Sequence, residues 1–368
     1  MELYETGNLA EKFLQRKADE TKTPLGGSIE LLPLCNMNCK MCYVRKSKAE
    51  MDAEGQMLTC DEWLRIAEEG CRMGILSLLL TGGEPLLYPE FKRLYVGLSK
   101  MGIILSVNTN GTLIDEEWAD FFAQNGVRRI NITLYGKDDA TYGTLCGNPE
   151  GFTQVMRAAD LLKEKKVNFR FTCSVTPDNK DQLSELYRIA NSFDVPFAPA
   201  VYMFPASRRG KNADEQYRLS PEQAGAMVIE SYHYKYPNTD LVSASKQTLE
   251  NMKNSPRLKD LDGFSCHAGR SGFWLNWKGD MTACGMFSLP SISLKTHSFA
   301  EGWDYIVKAC KQMPHCEKCK SCEKQNICQV CPAMCYTETG GTDGCPDYLC
   351  KMTGTMIREM ERLTANEF

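Results

Sequence analysis

Eighteen cysteines in a chain of 368 residues, and above all their uneven placement, narrow what this sequence can fold into. Cys35, Cys39 and Cys42 share one short stretch, and eleven more lie between Cys266 and Cys350. The long middle carries only Cys60, Cys71, Cys146 and Cys173. Disulfide frameworks belong to small secreted domains, whereas thiols in a reducing compartment serve as metal ligands. Thiols gathered at two ends of a large chain therefore predict two metal-binding regions in a cytoplasmic protein. The opening MELYETGNLAEKFLQRKADE alternates charge with apolar residues. It lacks the apolar middle of a secretory signal and reads as a short amphipathic helix. No stretch approaches the ~18 consecutive apolar residues of a membrane span. The formal net charge of −4 gives no basic field for nucleic acid, and no polybasic run favours anionic lipid.

Between Ser28 and Tyr202 short apolar runs alternate with longer amphipathic ones. The apolar runs cover 28–34, 75–80, 103–108, 128–134, 167–175 and 195–203. Each is continuous rather than alternating, which suits a parallel strand buried on both faces. The segments between them carry helix signals: Thr59 or Cys60 as a cap, Pro89 at a first helical position, and Gly126 just past a helix end. Strand–helix alternation predicts a parallel sheet with right-handed crossovers. Six units fall short of a full eight-unit barrel, so the expected fold is α/β, a partial (β/α)6 TIM-like barrel with its chemistry at the carboxyl ends of the strands. Residues 1–27 form an N-terminal helical arm and 28–204 the barrel core. Residues 205–262 form a bridging region with a helix capped by Ser220, and 263–368 a small cysteine-rich domain.

The first strand runs into Cys35-x3-Cys39-x2-Cys42, followed by Tyr43. Thiolates are the soft ligands that iron–sulfur clusters prefer. Three of them hold three irons of a 4Fe–4S cube and leave the fourth iron open. The competing reading is a zinc knuckle with a distant fourth ligand. The second strand ends in Thr81-Gly82-Gly83-Glu84-Pro85. This triad and this segment, each at a strand end, resemble the radical S-adenosylmethionine (radical SAM) superfamily. The resemblance implies that Gly82, Gly83 and Glu84 lie along the methionine end of S-adenosylmethionine, the glycines admitting close approach and the acid accepting from the ammonium. It makes Tyr43, Asn108 and Asn110 further contacts, although Asn110 equally reads as an Asn-Gly turn. Thr133 stands in for a ribose-binding serine. Where the family places an arginine before a glycine, this chain has Cys146; Arg170 on the next strand reads equally as the substitute guanidinium or as an ordinary surface arginine.

The tail reads Cys266-x12-Gly279-x4-Cys284, then Cys319-x2-Cys322-x5-Cys328-x2-Cys331-x3-Cys335, then Cys350. It resembles the SPASM domain of radical SAM enzymes that modify peptides and proteins. That resemblance implies two auxiliary 4Fe–4S clusters, one on Cys266, Cys284 and Cys331, the other on Cys319, Cys322, Cys328 and Cys350. Cys335 is the alternative to Cys331, and a pair of zinc sites is the alternative to clusters. Cys310, Cys316 and Cys345 are left over as packing or solvent residues, with one of them a candidate functional thiol.

The expected protein is therefore an enzyme with S-adenosylmethionine and three 4Fe–4S clusters, one catalytic and two auxiliary. By resemblance it makes a 5′-deoxyadenosyl radical and abstracts hydrogen from a peptide or small protein. The expected reaction is maturation of a ribosomally made peptide by crosslinking or another net oxidation. The alternatives are a peptide epimerase with a cysteine hydrogen donor, an anaerobic sulfatase-maturating oxidase, and a non-enzymatic electron carrier or zinc scaffold. The sulfatase type carries an aspartate base where this chain has Gly285. The expected partner is a flavodoxin- or ferredoxin-type reductant; with only 27 residues before the first strand, a leader-peptide-binding unit is expected to be a separate protein or absent. The Arg208–Lys211 loop reads first as a solvated turn and second as a candidate for holding acidic side chains of the peptide.

Overall fold

A computed structural model describes residues 9–205, 217–254, 264 and 266–365. The Arg208–Lys211 loop and the expected domain boundary at Gly263 lie outside the described residues. Six strands follow one another in chain order and pair in parallel: β1 (Gly26–Glu30), β2 (Ser77–Thr81), β3 (Ile104–Thr109), β4 (Arg129–Thr133), β5 (Phe169–Ser174) and β6 (Phe197–Ala200). The helices between them start where local chemistry satisfies their first N–H groups. Thr59 caps Cys60–Met73 with a capping box to Glu62, Asp115 caps Glu116–Asn125, and Asp138 caps Asp139–Cys146.

Two strands stop several residues before the ends of their apolar runs. β1 stops at Glu30 although the run continues to Leu34, because Pro33 has no N–H to give a ladder. β6 holds only Phe197–Ala200 and contains Pro199, which an edge strand tolerates.

The sheet does not end with the barrel. β7 (Gly272–Leu275) pairs in parallel with β1, and β8 (Asp280–Cys284) and β9 (Phe287–Ser293) continue it antiparallel. All nine strands form one sheet in the order β6-β5-β4-β3-β2-β1-β7-β8-β9. The cysteine-rich region is thus built onto the barrel. Trp274 of β7 donates its indole N–H to the buried Glu30 of β1 at 2.9 Å. The helix Leu9–Thr21 fastens the same join. Gln15 donates to Ser271 at 2.5 Å, and the Asp19 carboxylate lies 3.0 Å from Nδ1 of His267. No helix among the described residues is long and apolar enough to cross a membrane.

The bridging helices Pro221–Lys235 and Leu241–Asn254 pack on the C-terminal helix Asp347–Ala365. A buried ion pair ties this layer to the end of β6. Arg218 and Glu338 meet at 2.6 Å with side chains only 8% and 9% exposed. Tyr202 donates to Glu338 at 2.9 Å, and the Arg218 guanidinium lies 4.2 Å from the Tyr348 ring centroid. Removing one partner strands the other charge in a dry site. Glu338→Ala should therefore cost about 3–5 kcal/mol in denaturant unfolding. The apolar pair Arg218→Met with Glu338→Leu should recover most of that loss; equal losses in the single and double variants would show that the ion pair is not the cause.

Candidate cofactor and metal site

The triad loop leaves β1 and is gripped from two sides. On one side lies the segment after β2. Leu31 donates its N–H to Thr81 O at 2.9 Å, Gly83 to Leu32 O at 2.8 Å, and Glu84 to Leu34 O at 2.8 Å. A Cβ at Gly83 would stand 2.2 Å from Leu34 O, and one at Gly82, whose φ is +144°, would stand 2.5 Å from Leu32 O. The bare glycine backbone thus closes onto the chain leading into Cys35. On the other side is the last turn of the helix Asp139–Cys146. Asn38 and Lys40 donate their N–H groups to the carbonyls of Cys146 and Leu145 at 2.8 and 3.0 Å. These are carbonyls a helix end leaves without internal partners.

The sulfurs are prepared as acceptors. Cys35 Sγ accepts from Met37 N–H at 3.4 Å and from the Asn110 amide at 3.6 Å, while Cys42 Sγ accepts from Arg45 N–H at 3.3 Å. Such N–H···S contacts favour thiolate and are the outer-shell support a metal ligand needs. Burial works the other way and pushes the Cys35 thiol up to about 12. A cation held by the three sulfurs would resolve this opposition by replacing the proton. Cys39 is nearly buried, and a hydrogen bond with Cys146, followed by burial itself, raises its pKa well above the ordinary range. Cys146, which stands where the family pattern has an arginine, is wholly buried beside Cys39.

Glu84 is fully buried. Its carboxylate accepts from Thr109 Oγ1 at 2.8 Å, Asn110 N–H at 2.8 Å and Leu86 N–H at 3.0 Å. Burial raises its pKa to about 7 against the pull of these donors. The expected role of accepting from a ligand's ammonium meets a carboxylate already engaged by three protein donors. Asn110 forms the expected turn, with Gly111 at φ +80°, and also donates to Asn36 of the triad loop at 2.8 Å. Asn108, Asn131 and Arg170 sit in register on β3, β4 and β5. Asn131 donates to Asn108 at 2.6 Å and accepts from Arg170 Nε at 2.7 Å. The sequence reading missed Asn131, whose signal was a polar residue inside an apolar run. Thr133 closes β4, and its carbonyl accepts from Tyr142 at 3.0 Å. Tyr43 is half-buried after the triad.

In the tail, Cys266 and Cys284 line a cavity of about 390 Å³ that also reaches Ser28, Leu79, Ser106 and Trp274. Cys284 Sγ accepts from Met286 N–H at 3.4 Å. Burial pushes Cys331 up to about 12, with neighbouring Cys284 and Cys266 adding to it. Cys310 is raised to about 12 by burial, again with Cys266 and Cys284 adding to it. Cys335 turns to other neighbours, first Cys316 and then Cys331, Cys345 and Cys328. The sulfurs of Cys316, Cys319 and Cys345 lie within 4.8 Å of one another, and Cys345 Sγ is 3.7 Å from Cys350 Sγ. Cys316 and Cys345 had no expected ligand role. Their signal was present in the spacings Cys316-x2-Cys319 and Cys345-x4-Cys350.

Residues 29–190 match the Radical SAM superfamily. Over 326 residues the chain is 22% identical to the AdoMet-dependent heme synthase of Nitratidesulfovibrio vulgaris, covering 84% of this chain and 88% of that protein. It is 30% identical over 184 residues to the cysteine-type anaerobic sulfatase-maturating enzyme of Clostridium perfringens, covering 44% of this chain and 47% of that protein. Its fold is similar to that of Streptococcus suis SuiB, solved with S-adenosylmethionine and with the precursor peptide SuiA. The TM-score is 0.67 at 17% identity, covering 94% of this chain and 81% of SuiB in the S-adenosylmethionine complex.

The grip on the triad loop is directly testable. Gly83→Ala forces backbone against backbone at 2.2 Å, an overpacking that should cost about 1–3 kcal/mol and lower the iron retained after reconstitution. Gly143→Ala, whose Cβ would meet Pro149 at an ordinary 3.5 Å, should leave both unchanged. Equal iron content in the two variants would remove the glycine contact from the site.

Proposed function

Because residues 29–190 are a radical SAM domain, we propose that this protein is a cytoplasmic enzyme that uses S-adenosylmethionine to modify a peptide or small protein. The observation that carries the reading is the clamped loop whose three thiols, Cys35, Cys39 and Cys42, stand at the carboxyl end of β1 with N–H donors at two of their sulfurs. When bound, a reduced 4Fe–4S cluster with S-adenosylmethionine at its open iron supplies a 5′-deoxyadenosyl radical that removes hydrogen from an unactivated carbon. The chain's own residues hold and orient. The triad provides three ligands, and Asn36, Asn110 and Glu84 fix the loop that carries them. The row Asn108, Asn131 and Arg170 offers polar groups across three neighbouring strands, suited to ribose or carboxylate oxygens. Cys266 and Cys284, which line the cavity of about 390 Å³, and their neighbour Cys331 would hold an auxiliary cluster. Such a cluster would be able to accept an electron from the substrate. The electron for cleavage would come from a flavodoxin- or ferredoxin-type reductant.

A peptide substrate is supported by the joining of barrel and cysteine-rich tail through one sheet, in a fold shared with SuiB, which was solved with its precursor peptide. Crosslinking is favoured over the sulfatase-type reaction. Any side chain at Gly285 would meet the Trp274 ring at 2.5 Å, so no carboxylate base fits there. A tetrapyrrole substrate is the second reading, because the heme synthase is similar over 84% of this chain.

Replacing Cys35, Cys39 and Cys42 with alanine should remove about four irons and all 5′-deoxyadenosine formation; cleavage that survives would place the catalytic cluster elsewhere. With its true peptide, the wild-type enzyme should give a product two hydrogens lighter and free of solvent deuterium at the attacked carbon. An unchanged mass with one deuterium from D2O would mean epimerisation, and turnover of a tetrapyrrole alone would mean the second reading.

A further inference from the structure

Lys40, Arg45 and Lys46 are the cations of the triad loop, and two of them are answered by acids. Lys40 lies 3.6 Å from the Asp178 carboxylate, and Lys46 lies 2.5 Å from that of Glu54. Arg45 has no carboxylate within ion-pair reach among the described residues. Its side chain is half-buried, and its Nε is shut off from water with no hydrogen-bond partner. We propose that Arg45 is the counter-charge of the cluster on Cys35, Cys39 and Cys42, and that its guanidinium makes that cluster easier to reduce.

The argument starts from the cost of the unanswered cation. A guanidinium does not lose its proton in a protein, so it cannot escape burial by becoming neutral. Taking part of it out of water without an acceptor costs free energy unless an opposite charge comes to it. The chain supplies such a charge to Lys40 and Lys46 but not to Arg45. The loaded triad does supply one. Three thiolates on a 4Fe–4S cube leave the site negative, and the electron it takes up makes it more so. Net charge and hydrogen bonds to sulfur are among the levers that set a cluster's potential.

The position of Arg45 suits both levers. Its backbone N–H donates to Cys42 Sγ at 3.3 Å, so the side chain sets out from the third ligand. Its charge is also felt at Cys39, where it pulls the thiol down against the larger effects of Cys146 and burial. Glu84 acts from the other side, adding to the burial that pushes the Cys35 thiol up. The acid thus stands toward Cys35 and the cation toward Cys39 and Cys42. S-adenosylmethionine is expected along the Glu84 side, so the guanidinium answers the cluster rather than the carboxylate of the cofactor. A cluster ringed by sulfur beside a buried acid resists an electron from a flavodoxin- or ferredoxin-type carrier. A fixed cation offsets that resistance, and partial burial keeps its field from being screened.

The inference rests on the proposed function for the presence of the cluster. Reconstituted protein without S-adenosylmethionine is titrated with dithionite, and the reduced clusters are followed by electron paramagnetic resonance. The triad signal is the one missing when Cys35, Cys39 and Cys42 are replaced by alanine. Arg45→Gln removes the charge and keeps the backbone donor to Cys42. It should shift the triad equilibrium about tenfold toward the oxidised cluster, about 59 mV downward in potential. Arg45→Lys, which keeps the charge, should stay within about twofold of the wild type. Lys46→Gln with Glu54→Gln removes a neighbouring cation together with its acid and should leave the potential where it was. Equal potentials in the wild type and Arg45→Gln would overturn the proposal, and so would an equal shift in the Lys46 and Glu54 double variant. An unmoved potential with weakened binding of S-adenosylmethionine would overturn it too, by giving Arg45 to the cofactor's carboxylate. Should Arg45→Gln take up no iron at the triad, Arg45→Lys decides. A loaded triad at the wild-type potential upholds the charge, and an unloaded one overturns it, because the shape of the side chain would then be what matters. Failure of the proposed function would instead appear in the wild-type protein, as a spectrum that loses nothing in the triple alanine variant.

Discussion

The buried carboxylate of Glu84 organises the candidate site. A carboxyl group out of contact with water is costly unless donors surround it. Here they come from segments that would otherwise have no reason to stay together: the turn after β2 through Leu86, and the end of β3 through Thr109 and Asn110. Asn110 then passes the constraint onward, donating to Asn36 and to the sulfur of Cys35. One acid thus fixes the ends of two strands and, through one amide, the loop that carries the triad. Its raised pKa, near 7, is the residue of that cost.

The second constraint is the double use of β1. It pairs with β2 on one edge and with β7 on the other, both in parallel. A strand hydrogen-bonded along both edges cannot shift without breaking two ladders. The chain that delivers the triad is therefore registered against the hairpin that delivers Cys284. The N-terminal helix reinforces the same seam through Gln15, Asp19, Ser271 and His267. One continuous sheet fixes the separation of the triad loop and Cys284 better than two domains on a linker would.

The thiols divide by their surroundings. Cys35, Cys42 and Cys284 each have a backbone N–H two or three residues on that donates to sulfur. Cys60, Cys146, Cys173 and Cys310 are buried in the main apolar core. Burial raises the pKa of Cys173 and Cys310 to about 12 and that of Cys60 more modestly. Burial alone does not separate the groups, since Cys39 of the triad lies in the same core; the N–H donors at sulfur are what mark Cys35, Cys42 and Cys284.

What the sequence determined by itself was local. The alternation of apolar runs and capped helices predicts the six parallel strands, and the tight spacing of Cys35, Cys39 and Cys42 after β1 marks the triad, because both are written in neighbouring residues. The shortening of β1 and β6 was also within reach, through Pro33 and Pro199. The tertiary structure alone decided which distant groups meet. It joined β7 to β1, set Cys146 against Cys39, turned the Glu84 carboxylate onto Thr109 and Asn110, and drew Cys316 and Cys345 to Cys319. These contacts are set by how helices and strands pack across long stretches of chain. A cysteine's spacing says what it can bind, but only the folded chain brings its sulfur within reach of the others.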